Sequence, residues 1–206
     1  MKFATEERLI TVCDRHGVPK RLASKVFQNL TEKYSEPHRA YHNFEHVDDM
    51  LGLFTKCAYP DDEVELAIWF HDAIYDPAAE HNERKSANYF LSQLNGYFWD
   101  DFSREVERLI LVTDPSTKHL GTPREGLMVD LDLSILGSSP EAYLEYSKAV
   151  RKEYSFASDE DFNRGRSEIL QSILKGKIFV TEHFTHLEEQ ARTNITGELE
   201  RLGAEN

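Results

Sequence analysis

Three groups of side chains in this sequence have the types and spacing to do chemistry. His42 and His46 stand four residues apart in Arg39-Ala-Tyr-His-Asn-Phe-Glu-His46, just after the break at Ser35-Glu-Pro37. His71 and Asp72 are adjacent and follow the apolar run Ala67-Ile-Trp-Phe70. Asp130 and Asp132 lie in a third apolar stretch, Met128-Val-Asp-Leu-Asp-Leu-Ser-Ile-Leu136. An imidazole or a carboxylate in such surroundings is costly unless a cation or a hydrogen-bonded partner satisfies it. A bound metal would satisfy several of them at once, and metal-dependent hydrolysis is the chemistry that follows.

Other readings compete at each position. His42, Glu45 and His46 spell the inverted zinc-protease pattern H-x-x-E-H, which needs both histidines within one helix. Asn43 is an expected N-cap, which leaves His42 outside the helix and sets the protease aside. His71 and Asp72 would form a plain buried hydrogen bond if no ion were present. In a helix their side chains would diverge by about 100°. Asp130 and Asp132 point to different faces of a helix, so one is expected at the site and the other in a cap or behind a ligand histidine.

The elements that must position these groups read as helices nearly throughout. Thr5 caps a first helix reaching about His16, and a second over about 20–33 carries Leu22, Val26 and Leu30 at intervals of four. Asn43 opens a third with Val47, Met50, Leu51 and Phe54 inward, and Pro60-Asp-Asp starts a fourth that runs through the His-Asp pair to about 73. Later helices are expected over 127–136, from Pro140, over 160–174 behind a cap at Asp159, and over 181–202. No stretch alternates as a strand does. The class is all-α, a helical bundle of about nine or ten helices, read as a single domain over 1–206.

The chain has 206 residues and a formal charge of -13. That balance disfavours a nucleic-acid polymer or an anionic membrane as partner, and leaves room for a small phosphorylated molecule held by local cations or a metal. Cys13 and Cys57 are isolated and read as reduced thiols. The opening residues lack the apolar core of a signal peptide, and no apolar run has membrane-spanning length, so a cytoplasmic protein is expected. The oligomeric state is not legible.

The order of these groups carries a family likeness. His46, then His71-Asp72, then an aspartate in an apolar helix resembles the H…HD…D signature of the HD-domain superfamily of metal-dependent phosphohydrolases. Arg39-x-Tyr-His-Asn-x-x-His46, Phe70-His-Asp-Ala-Ile-Tyr75, Asn82-Glu-x-x-Ser-Ala87 and Asp130-Leu-Asp-Leu-Ser-Ile-Leu-Gly137 are similar to its small bacterial branch of predicted phosphohydrolases. Arg151-Lys-Glu-Tyr154, Gly165-Arg166 and Ala191-Arg-x-Asn194 extend the likeness along nearly the whole chain. The resemblance implies that His46, His71 and Asp72 bind metal, with Asp130 or Asp132 as fourth ligand and Asp130 preferred. It also gives His119 the place of an extra histidine near the metal.

Two imidazoles and two carboxylates suit one divalent transition ion (Mn, Fe, Co, Ni or Zn) better than Mg or Ca. A second ion would have to draw on His42, His119 and the spare aspartate. His71 and Asp72 are the expected catalytic pair, with Asp72 orienting the attacking water. Arg39, His42, His119, Arg84 and Arg151 are candidates for holding the substrate, and Lys85 and Arg166 are further cations. The phosphate ester or anhydride would belong to a nucleotide or other small metabolite. Two alternatives keep the same helical shell: a di-iron oxygenase, and a nucleotide-binding module without turnover.

Overall fold

A computed structural model of the chain describes residues 2–57, 60–94, 96–117 and 119–204. Among these residues there is no strand; ten α-helices and two short 3-10 turns supply the regular structure, as an all-α sequence requires. The packing divides the chain into two units, Met1–Met128 and Val129–Asn206.

The first unit holds α1 (Glu6–Asp14), α2 (Lys20–Tyr34), α3 (Phe44–Lys56), α4 (Asp62–Phe70), α5 (Asn82–Leu94), α6 (Asp100–Leu111) and the opening turns of α7 (Pro123–Asp132). A first turn leaves amides unbonded, and a flanking side-chain oxygen takes one of them. Thr5 accepts from the Arg8 amide, Asn43 from Glu45 and Asp61 from Val64. α4 is the axis of this unit. Every residue from Val64 to Phe70 is buried, and the helix packs against α1, α3, α5 and α6. A helix covered on all sides needs an unbroken apolar sequence of this kind. Glu65 is the charged exception, and Arg8 meets it with two prongs at 2.9 and 3.3 Å.

The second unit holds the end of α7, a 3-10 turn over Leu133–Gly137, α8 (Pro140–Glu153), α9 (Asp159–Leu174) and α10 (Glu188–Ala204). A second 3-10 turn, Thr185–Leu187, precedes α10. α10 packs on α8, α9 and the Leu133–Gly137 turn. That approach needs glycine, since a Cβ on Gly137 would stand 2.5 Å from the Leu187 Cβ. Asn194 closes the contact by donating to the Leu136 and Ser138 carbonyls, each at 2.9 Å.

Boundaries differ from the sequence reading in several places. Ser158, not Asp159, caps α9, its hydroxyl accepting from the Asp161 amide at 3.1 Å. The helix expected over 127–136 starts earlier, at Pro123, and tightens to 3-10 after Asp132. The helix expected from 181 starts at Glu188, and side chains hold the segment before it. Glu188 accepts from the Ile178 and Phe179 amides at 3.0 Å each. Asp130 accepts from the Val180 amide at 3.0 Å, the Thr181 amide at 2.7 Å and the Thr181 hydroxyl at 2.5 Å.

Burial pushes the Glu188 carboxyl up, but the two amides and Arg192 outweigh it and hold it below the ordinary glutamate value. Its contribution to stability is therefore complete at neutral pH and fades as pH falls through the ordinary value and then the lowered native one. Glu188→Gln is expected to cost about 1–3 kcal/mol at pH 7 by urea denaturation. The gap between variant and wild type should narrow once the pH drops below about 4; a gap that stays constant would mean that the charge contributes nothing.

Candidate metal centre

His46 occupies the first turn of α3. Asn43 fixes where that turn begins, and Phe44 anchors it among the rings of Phe27, Tyr34 and Trp69, whose centroids lie 5.7, 5.9 and 6.1 Å away. His46 is buried, with its Nε2 3.1 Å from His71 Nε2.

His71 and Asp72 are not inside a helix. α4 ends at Phe70, His71 is its C-cap, and Asp72 begins the turn beyond. The helix stops because other groups take its next backbone partners. Arg39 donates Nη1 to the His42 carbonyl at 2.9 Å and the Asp72 carbonyl at 2.7 Å, and Nη2 to the Ala73 carbonyl at 3.2 Å. The Ser86 hydroxyl accepts from the Ile74 amide at 3.0 Å and donates to the Ile74 carbonyl at 3.1 Å. The turn brings together two side chains that a continuous helix would have splayed. Asp72 Oδ2 lies 3.1 Å from His71 Nε2.

The far nitrogen of His71, Nδ1, is 3.0 Å from the Ile68 carbonyl, and an N–H there is the partner that the carbonyl accepts from. A neutral His71 therefore carries its proton on Nδ1 and turns a bare Nε2 toward His46 and Asp72. Two ring nitrogens and a carboxylate oxygen this close, in a buried place, need a shared proton or a cation between them. This is the donor set and the tautomer that a transition ion requires, with the Ile68 carbonyl orienting the ligand from behind. Burial pushes the Asp72 carboxyl up, yet His71, together with His42 and His46, outweighs it and keeps the group below the ordinary aspartate range. The first unit thus carries imidazole and carboxylate groups that fit a metal.

Sequence reasoning gave Arg39 to a phosphate. Its side chain is fully buried and its donors go to three carbonyls and to Glu36 at 3.1 Å, so it organises the turn instead. His42 precedes α3, as the rejection of the protease pattern required, and stacks on Tyr75 with centroids 4.2 Å apart. The Tyr41 ring lies 4.8 Å from the His46 ring. Tyr41, Tyr75 and Ser86 had no role in the sequence reading, although all three lie inside the quoted motifs. Arg84 pairs with Glu107 on the surface at 2.5 Å, and His119 is exposed in the loop before α7. Arg151 closes the end of α8, meeting the Tyr154 and Ala157 carbonyls and Asp159 at 2.8, 3.2 and 2.6 Å.

In the second unit the two aspartates of Asp130-Leu-Asp132 have different surroundings. Asp130 is wholly buried and holds the 178–181 segment as described. Burial raises its carboxyl, and the Thr181 and Val180 donors offset only part of that. Asp132, half-buried, is the last residue of α7.

No family model and no curated protein matches the chain. Among the described residues no helix is long and apolar enough to cross a membrane.

The geometry of the turn makes Arg39→Lys a severe change, because an ammonium cannot reproduce a fork that spans three carbonyls. We expect it to lose at least about 2 kcal/mol of stability in urea titration. A Lys variant as stable as wild type would show that Arg39 does not hold the end of α4.

Proposed function

We propose that this protein is a metal-dependent phosphohydrolase of the HD-domain kind, binding one divalent transition ion through His46, His71 and Asp72. The observation that carries the reading is the meeting of His46 Nε2, His71 Nε2 and Asp72 Oδ2 in buried surroundings, with His71 oriented from behind by the Ile68 carbonyl. The order of motifs along the chain, H…HD…D, points the same way.

In this reading His46 and His71 supply the nitrogen donors, which favour Mn, Fe, Co, Ni or Zn over Mg or Ca. Asp72, kept ionised by its histidine neighbours, is placed to orient a water and accept its proton. His42, held by its stack on Tyr75, stands on the same side as the cluster and is the first-unit candidate for touching substrate. The chemistry that a bound ion supplies is acidification of water toward a pKa of about 7 and neutralisation of phosphoryl charge. A chain this acidic repels polyanions, so the substrate is a small phosphorylated metabolite such as a nucleotide.

The test begins with metal content of the purified chain, followed by panels of nucleotides and phosphomonoesters with Mn, Co and Ni. His71→Ala is expected to lose both metal and turnover. Asp130→Asn should keep the metal and lose about 1–3 kcal/mol of stability. Metal retained at full occupancy by His71→Ala, or turnover untouched by its loss, would end the hydrolase reading.

A further inference from the structure

At the opposite end of α4 from His71, the first unit has an open cleft of about 680 Å³. α6 lines it with Asp101, Phe102 and Glu105, the start of α7 with Thr122, Pro123 and Arg124, and α4 with Glu63. Phe102 is fixed there by its stack on Phe98, with centroids 4.7 Å apart. The same two helices carry apolar side chains into solvent. Trp99, the N-cap of α6, is 86% exposed, and Leu120, just ahead of Thr122, is 68% exposed. With Tyr97 they are the large apolar residues that the first unit exposes, among those described, and all three lie beside segments that line the cleft. Exposed apolar groups gathered in one polar-rimmed place mark a surface that another molecule covers, and tryptophan is the side chain that gains most from being covered.

The charge of that surface is negative, and its arginines are already engaged. Arg108, also in the cleft, donates to Glu105 at 2.7 and 3.1 Å and to Glu125. Arg124 donates to Asp61 at 2.6 Å and to Glu63 at 3.3 Å. Arg104 pairs with Asp101 at 2.7 Å, both of them out in solvent. Five carboxylates therefore share three guanidiniums. Burial, with Asp61 beside it, holds the Glu63 carboxyl above the ordinary glutamate value even with Arg124 at hand. A further cation is what this surface lacks. A second copy of the chain, at -13, brings the wrong charge, as do a nucleic acid and an anionic membrane. An arginine side chain suits both features, since a guanidinium lies flat on an indole and forks onto a carboxylate.

We propose that Trp99 and Leu120, with the carboxylates Glu63, Asp101 and Glu105, form a docking surface for a basic, arginine-bearing segment of a partner protein. The apolar pair supplies the area that is covered, and the carboxylates select the sign of what covers it. This surface needs neither a metal nor turnover, so it stands apart from the hydrolase reading.

The chain's two tryptophans make the test direct. Trp69 is fully buried, so acrylamide quenching of the intact chain reports on Trp99. The probe is hexa-arginine amide at about 0.15 M salt, where exposed charges further apart than roughly 8 Å are screened. It is expected to shield Trp99 from acrylamide, and hexa-glutamate is not. Trp99→Ser should weaken calorimetric binding of the arginine peptide about tenfold or more. Serine is a good N-cap, so α6 keeps its start in that variant. Glu63→Gln combined with Asp101→Asn should weaken binding about threefold or more. The charge-matched control, Glu141→Gln with Glu160→Gln on exposed faces of the second unit, should leave it unchanged. A wild-type chain that binds no peptide, or whose Trp99 stays open to acrylamide at saturation, would overturn the proposal. Equal losses in the control pair would overturn it too, reducing the binding to general attraction by an acidic chain. So would a dimer that Trp99→Ser dissolves, which would give the surface to a second copy.

Discussion

The histidine-aspartate site depends on where two buried carbonyls send their hydrogen bonds. α4 is the most enclosed helix of its unit, and its last carbonyls find donors inside the protein: the His71 amide for Ala67, His71 Nδ1 for Ile68, the Tyr34 hydroxyl for Trp69 and the Ala73 amide for Phe70. Arg39 serves the two carbonyls just beyond. Its guanidinium takes the Asp72 and Ala73 carbonyls together with that of His42, so one side chain ties the approach to α3 to the exit from α4. Ser86 on α5 secures Ile74 by the same logic. With the backbone pinned at both places, His71 can end the helix and Asp72 can fold back onto it. Without those donors the helix would run on, and the two side chains would face different ways.

This explains why the site was legible in part. Residue types and order singled out His46, His71 and Asp72, which the structure sets side by side, because imidazoles and carboxylates in apolar sequence demand a partner whatever the backbone does. The backbone itself was read wrongly. Ala67-Ile-Trp-Phe70 is a strong helical run, and nothing beside His71 in sequence says stop, since the donors that end α4 lie 33 residues earlier, at Arg39, and 12 later, at Ser86. The same distance hid the meaning of Arg39. A cation beside candidate ligands resembles a phosphate holder, and only the coordinates reveal that carbonyls already use it.

The fold divides along the same line. Starts written in adjacent residues, such as Thr5, Asn43 and Pro140, could be read directly, because a cap and the amide it serves are two or three positions apart. The segment before α10 could not. Phe184, Leu187 and Ala191 keep near-helical spacing, but the amides at 178–181 are claimed by Asp130, some 50 residues earlier, and by Glu188. Periodicity reports which face wants burial; it is silent on the distant carboxylates that hold a preceding segment.

A pattern joins these cases. In each motif one polar residue holds the backbone or side chain beside another polar residue. Arg39 holds the turn that presents His71 and Asp72; Asp130 holds the 178–181 segment, and Asp132 follows it at the end of α7; Glu198 holds Arg166 by two nitrogens. Both members of such a pair are polar residues in apolar surroundings, and sequence alone gives them equal standing as ligands. What separates them is whether a buried group elsewhere already uses their hydrogen bonds. A motif in a helical bundle of this kind is thus part reagent and part scaffold, and counting the committed donors and acceptors tells one from the other.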